Sequence, residues 1–482
     1  MELIILPLAG ALFTWIGKSW NRQVSLLSSL LTLALNLYWL SSFVPDGSLQ
    51  FVHNFPWLNE GIRFHTAVDG ISMLLLLLTN LLIPVILLSR WNMNPGQNQH
   101  LLPLVLLMQS ALNGVFTAQN GLLFYIFWEL ALIPVYFICA KWGEENRIRI
   151  TLKFFIYTFL GSVLMLASLL FLYLKTPEAH SFEWSRLVAV NLSEQEAWWV
   201  GAGLLMAFLI KIPVFPFHTW QADTYTTSPA AGTMLLSGIM LKMGLFGMIR
   251  WYLPLVPETL HSQMPVVAIL SVIGVVYGGI IAIRQKDMKR LVAYSSFSHV
   301  GLIAAGIASM SLNGFQGAAI QMFNHGINIV GLFFAISIIE NRMGSRSMEQ
   351  LRGLAVSSRI FAILFMLMVL GTVAVPLTNG FPGELLLLQS VFASNAIAGI
   401  FAGLTIIFCA AYMLRMYQFS MFGQAATEQA TFAPLHSSEW IGMSVLAALI
   451  LFLGVFPQPL LDLTHAGMNQ LLDIIQERIA LR

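Results

Sequence analysis

Charge is what this sequence has least of. Only 10% of its 482 residues are Asp, Glu, Lys or Arg, against 57% that are hydrophobic. A soluble globule of this length needs far more polar surface, so the composition excludes one and points to a chain that crosses a membrane many times. The net charge of +2 gives no electrostatic reason to bind nucleic acid. Cysteine is nearly missing too. Cys139 and Cys409 both sit in apolar runs; two isolated thiols supply neither a zinc site nor an iron–sulfur ligand set, and both are expected to be buried core residues. No nucleotide- or flavin-binding motif is present, so no cofactor is expected in this chain. No A-x-A-like cleavage site follows the first apolar run, which is read as a span rather than a leader.

What the sequence does have is apolar runs of spanning length. They fall at 2–17, 24–44, 67–89, 101–118, 121–140, 150–173, 197–217, 229–250, 264–283, 291–310, 315–338, 357–390, 395–420 and 439–457. Each is near the ~20 residues that a bilayer requires, which predicts an all-α polytopic membrane protein with about fourteen transmembrane helices. Two spans are predicted to be broken. In one, Pro213 and Pro216 follow Lys211 at once; the other, 357–390, is too long for one straight helix and contains Pro376, Gly380, Pro382 and Gly383. The tail 460–481 reads as an amphipathic surface helix.

Loop lysines and arginines set the orientation. Alternate loops collect sixteen on one side, from Lys18 through Arg284–Arg290 to Arg415, and six on the other: Arg63, Lys175, Arg186, Arg250, Arg478 and Arg482. The richer side is cytoplasmic, which puts both termini on the opposite, periplasmic face. Four segments follow: a three-helix segment at 1–100, two five-helix blocks at 101–252 and 253–420, and a last span with its tail at 421–482. The fourth helix of each block is the broken one. Because five is odd, the second block is inverted relative to the first, a pattern of transporters.

Ionisable groups inside spans are expensive and are functional candidates by default. Glu129 lies mid-span in FYIFWELALIPVYF; it reads either as a neutral acid on a backbone carbonyl or as a charge partner of Lys211. Lys242 lies in LSGIMLKMGLF, deep in its span or snorkelling to an interface. Gln321, Asn324, His325 and Asn328 share one helical face, as a proton path or as packing glue; His325 is the member that exchanges protons near neutral pH. His299 is a weaker candidate near the start of its span. His218 and Asp223 stand at the cytoplasmic end of the first break and read equally as helix-end capping residues. Glu384 follows the second break, where a carboxylate either caps a helix dipole or matches Lys211 of the other block. Asp69 reads as an N-cap and Asp287 as a solvated loop residue.

The stretches AFLIKIPVFPFHTW, SPAAGTMLLSGIMLKMGLFGMIR, QKDMKRLVAYSSFSHVG and QMFNHG resemble the antiporter-like proton-translocating subunits of respiratory complex I, over nearly the whole chain. GIMLKMGLFGMIRW is most similar to the M-type members, which correspond to chain 4 of mitochondria. The resemblance implies that Glu129 and Lys211 form an input pair, that Lys242 and His325 continue a central hydrophilic axis, and that Glu384 is the terminal acid. It implies NADH, FMN, iron–sulfur clusters and quinone in partner subunits, with L-, N- and K-type membrane subunits and lipid as neighbours in the cell's inner membrane. Cation/proton antiporters of Mrp type and membrane-bound hydrogenases share these motifs, and a structural scaffold is a third reading that the buried charges oppose. Two motifs depart from the family. Its H-T-W-L-P-D-A-H appears as HTWQADTY, with Tyr225 for a histidine; its L-P-G-x-x-G-F-V-G-E appears as VPLTNGFPGE, with Leu377 and Pro382 at altered positions.

Overall fold

The computed structural model describes residues 1–17, 20–59, 61–92, 100–177, 180–423 and 432–480; Lys18 and Arg482 of the charge count lie outside them. Every predicted apolar run falls on a helix or on a pair of helices. They are α1 (Glu2–Ile16), α2 (Asn21–Ser42), α3 (Gly70–Ser89), α4 (Leu101–Thr117), α5 (Gly121–Trp142), α6 (Arg147–Lys175), α7 (Glu194–Lys211) with its continuation α8 (Gln221–Thr227), and α9 (Ala230–Leu255). The second half supplies α10 (Leu260–Arg284), α11 (Met288–Ala308), α12 (Leu312–Met343), α13 (Arg359–Val373) with α14 (Gly380–Ser394), α15 (Ala396–Met421) and α16 (Ser437–Val455), followed by the tail helix α17 (Gln458–Ala480). Among the described residues, ten helices are long and apolar enough to cross a membrane.

Helix starts are fixed by side chains that satisfy otherwise free amides. Asp69 accepts from Ser72 N, as the sequence predicts, Asn120 from Leu122 N, Ser311 from Gly314 N and Asn395 from Ala398 N. Ser193 and Glu196 form a capping box at α7. Asp287 is not a free loop residue: it caps α11 through Arg290 N and pairs with Arg346. Nor does Arg250 sit in a loop. It is buried within α9 and binds Asp69 at 2.9 Å and Gln119 at 2.5 Å.

α12 is the hub. It packs against α3, α9, α11, α13, α14, α16 and α17. Its polar residues explain why: amide and imidazole side chains in a bilayer must face protein, so this helix is drawn inside. α2, α6, α10 and α15 instead turn broad apolar faces outward, as lipid-facing helices do. One hairpin interrupts the helical pattern: β1 (Gln50–Asn59) pairs antiparallel with β2 (Ile62–Val68), and Phe55 stacks on Phe64 at 5.1 Å. The tail α17 is a helix, as its amphipathic pattern predicts, burying Leu460, Leu463, Met468, Leu471 and Ile475 on one face. Cys139 and Cys409 are both free and buried.

Candidate functional site

Both predicted breaks are present, and a third irregularity joins them. α7 ends on Lys211, and the chain resumes as helix only at Gln221. Carbonyls freed where α7 ends do not stay bare: Val214 N reaches back to Leu209 O, which Pro213 cannot serve, and the Trp220 indole donates to Ile210 O at 3.0 Å. Lys211 is 2% exposed. Its ammonium lies at the carbonyl end of a half-helix, where the dipole favours a cation, and 5.4 Å over the ring of Trp128.

The expected Glu129–Lys211 ion pair is not formed. Their charges interact, but neither Lys211 Nζ nor Glu129 Oε1 has a hydrogen-bond partner among the described residues. Lys211 and Trp128 are buried, whereas Glu129 lies on the half-exposed face of α5.

α9 is not one regular helix. Two wide turns, Leu236–Met240 and Met248–Tyr252, flank Lys242. Such π-turns displace the backbone ladder and recur at functional sites. Here the displaced Ser237 carbonyl accepts from Lys242 Nζ at 2.7 Å, and the lysine is fully buried, which rules out snorkelling. Gly244 lets α9 close on α7: a Cβ there would meet Phe208 O at 3.0 Å and Ile212 Cγ1 at 2.6 Å.

Lys242 Nζ lies 2.9 Å from His325 Nδ1, and His325 Nε2 lies 3.1 Å from Ser296 Oγ. An ammonium only donates, so Nδ1 is an acceptor and His325 is the neutral tautomer protonated at Nε2. A second proton on that ring would set two cations at hydrogen-bond distance. Lys242 and His325 therefore hold one exchangeable proton between them, not two.

His299 sits deep in α11 rather than near the start of a span. Its Nδ1 donates to Ser295 O at 2.8 Å, and its Nε2 stands 3.2 Å from Glu384 Oε1, a close contact that is off-axis for a hydrogen bond. With Nδ1–H committed to a carbonyl, Nε2 faces the carboxylate either as a lone pair or as N–H. Only a proton on one of the two groups makes that contact attractive, so the pair stores a proton. Glu384, 3% exposed, is the fifth residue of α14, past the first turn; its partners are His299 and Gln321 Nε2 at 3.4 Å, not the free amides of a helix end. Gly383 makes room for that approach, since a Cβ there would lie 2.3 Å from Gln321 Oε1.

The polar stripe of α12 divides its work. Gln321 serves Glu384, Asn324 donates to Asn379 O in the second break at 2.6 Å, and His325 serves Lys242. The His325 and His299 rings are 6.4 Å apart, across a cavity lined by Ser295, Ser296, Gln321 and Asn328 with about 10 Å³ of room, enough for about one water. Sequence reasoning missed Ser295, Ser296 and Tyr412, whose hydroxyl donates to Ser295 Oγ at 3.1 Å. The signal available was a serine pair one turn before His299. His218 joins none of this: its ring packs between Phe215 and Phe297, and Asp223 pairs with Arg290 at 3.1 Å and Lys153 at 3.6 Å.

At the second break, Ala374 and Leu377 adopt left-handed backbone, at φ 59° and 72°. Leu377 stands where the family pattern has glycine, so this chain carries a strained residue at that turn.

Residues 118–409 match the family described as NADH:quinone oxidoreductase/Mrp antiporter, TM. The chain is 35% identical to NADH-quinone oxidoreductase subunit M of Rickettsia typhi, covering 97% of each, and 34% identical to F(420)H(2) dehydrogenase subunit M of Methanosarcina mazei, covering 96% of this chain and 95% of that one. It is similar to a chain of respiratory complex I from Thermus thermophilus, at 30% identity and TM-score 0.91, covering 98% of this chain and 99% of that one. A chain of the Mrp complex from Dietzia shares the fold, with TM-score 0.86 at 21% identity over 98% of each. With buried Lys242–His325 and His299–Glu384 contacts beside two broken helices, and with this likeness along nearly its full length, the chain belongs to the NADH:quinone oxidoreductase/Mrp antiporter transmembrane family.

Proposed function

We propose that this chain is an M-type proton-translocating membrane subunit of an NADH–quinone oxidoreductase, and that it carries protons through Glu129, Lys211, Lys242, His325, His299 and Glu384. The observation that carries the reading is the pair of proton-holding contacts, Lys242–His325 at 2.9 Å and His299–Glu384 at 3.2 Å, facing each other across room for about one water. A proton leaving His325 or Lys242 crosses that gap to the His299–Glu384 pair. Loading the second pair places charge near the first and disfavours its reloading, so occupancy passes along the row rather than accumulating. Lys211 feeds the row. Its charge rests on a helix dipole, an aromatic face and the unaligned charge of Glu129, so it gives up its proton without breaking a hydrogen-bonded ion pair.

In this reading the chain does no redox chemistry. NADH, FMN, iron–sulfur clusters and quinone belong to partner subunits, and L-, N- and K-type membrane subunits and lipid surround it in the inner membrane. The blocks 101–252 and 253–420 act as inverted repeats, each with one break. Both termini face the periplasm. Cysteine labelling from outside intact cells is expected at position 185 and not at 286; the reverse pattern inverts the topology.

The deciding experiment is at Lys211. Arginine keeps the charge but does not release its proton at any accessible pH, and methionine keeps approximate length without charge. Both Lys211→Arg and Lys211→Met are expected to assemble, to retain NADH–ferricyanide reduction by the partner subunits, and to lose proton pumping. Full pumping by assembled Lys211→Arg would remove titration at Lys211 from the path.

A further inference from the structure

The cytoplasmic end of α6 is built unlike the rest of the lipid-facing surface. Arg147 and Arg149 stand exposed at its first turn. The Arg149 side chain makes no hydrogen bond or ion pair among the described residues, and the Arg147 side chain makes only one bond, from Nε to Ala140 O at 3.1 Å. None of the described carboxylates forms an ion pair with either; Glu144, close in sequence, is committed to Arg346. Below the arginines, Ile148, Leu152 and Ile156 recur every fourth residue, 52%, 41% and 52% exposed, and line one open groove of about 680 Å³ together with both arginines. That stripe runs about 12 Å down the helix toward the bilayer centre.

We propose that this groove binds an anionic glycerophospholipid of the cytoplasmic leaflet, with its phosphate on Arg147 and Arg149 and an acyl chain along Ile148, Leu152 and Ile156. Charge complementarity selects the headgroup. Two uncompensated guanidiniums at headgroup depth fit the geometry of a phosphate, and a zwitterionic lipid would bring an extra cation to them. The aliphatic stripe selects a lipid over a free anion. Lys153 lines the same groove and ties it to the first break: its Nζ donates to Thr219 O at 2.7 Å, and Tyr157, on the same helix, shares a 3.1 Å hydrogen bond with the Thr219 hydroxyl. A bound headgroup competes for Lys153 and thereby acts on the segment between α7 and α8 that follows Lys211.

The assembled complex is reconstituted in nanodiscs of phosphatidylcholine with a minor fraction of phosphatidylglycerol, extracted in detergent, and weighed by native mass spectrometry. Wild type is expected to retain phosphatidylglycerol, Arg147→Gln/Arg149→Gln about tenfold less, and Arg149→Gln, which breaks no bond in the fold, an intermediate amount. Arg352→Gln/Arg359→Gln, which removes the same charge elsewhere, is expected to match wild type. Equal retention by all variants, equal loss in the control, equal retention of phosphatidylcholine, or cross-linking of Leu152→Cys to a neighbouring subunit would overturn the proposal. The readout is bound lipid, so its failure leaves the proton path standing, and failure at Lys211 leaves the lipid site standing.

Discussion

The two broken helices solve one problem in opposite ways. At the first, the ionisable group is a cation at the carbonyl end of a half-helix, supported by the dipole, the Trp128 face and the charge of Glu129, with no hydrogen-bonded partner among the described residues. At the second, the ionisable group is an acid beyond the first turn of a half-helix, outside strong reach of its dipole, and a histidine from α11 supports it instead. A lysine in mid-membrane costs about 3 kcal/mol on insertion scales, and the first site leaves that cost largely standing. The second offsets it by sharing a proton between two groups. The contrast teaches that a helix break prepares a place for charge, while the packed neighbours decide whether that charge is held loosely or shared.

The sharpest way to break this comparison is at the shared site. Gln at 384 keeps the shape and still donates to His299, but takes up no proton. Glu384→Gln is expected to assemble and to lose about a hundredfold in coupled rate, the scale of one acid–base group. Normal pumping per electron would mean that the second break stores no exchangeable proton. At the first site, Glu129→Ala is expected to lose most coupled activity and Glu129→Asp less, because the glutamate acts on Lys211 through charge rather than through an aligned bond. Equal activity of the alanine variant and wild type would separate Glu129 from the path.

A smaller effect tests how the second break is built. Leu377 is two-thirds exposed and left-handed, a conformation that glycine adopts without penalty. Leu377→Gly relieves about 1 kcal/mol or more of strain against a smaller entropic loss, so a net gain of about 0.5 kcal/mol is expected in thermal unfolding in detergent. A lower unfolding temperature would show that the leucine's contacts outweigh the strain.

The smallest effect concerns how the halves are tied. Arg346, from the second half, binds Glu144 of the first as well as Asp287 and Glu340, and Lys289 reaches both Glu144 and Ser228 O. Burial pushes the Glu144 carboxyl up, but the hydrogen bond from Arg346 and the charge of Lys289 outweigh it and hold it below the ordinary 4.5. A depressed carboxylate stabilises the fold above its ordinary value, and that contribution is lost as the pH falls from about 4.5 through the lowered value. Glu144→Gln is expected to flatten the acid limb of stability measured by thermal unfolding, modestly because the carboxylate is partly exposed. An unchanged acid limb would mean that Glu144 contributes nothing there.

Much of this was legible in the chain because membrane segments announce themselves locally. About twenty apolar residues, a proline after a lysine, and Asp69 before a helix are one-dimensional signals, and they located the apolar helices, both breaks and the Asp69 cap. Lys211, Lys242, His325 and Glu384 stood out for the same reason, as polar groups where polarity is costly. What sequence reading placed poorly was partnership. His299 looked peripheral until α11 was seen to present it to Glu384, Asp287 looked solvated until Arg346 was seen beside it, and Glu129 and Lys211 looked like an ion pair that the packing does not close.

The sequence by itself determined where this chain crosses the membrane, where its helices break and which side chains bear charge inside it, because the bilayer penalises each exposed polar group residue by residue. Only the tertiary structure decided that Lys242 meets His325, that His299 rather than a helix end supports Glu384, and that Lys211 stands without an aligned partner. Those contacts join residues on different helices, often far apart in the chain, and their separations are set by close packing around α12, at distances where a shift of about an ångström makes or loses a hydrogen bond.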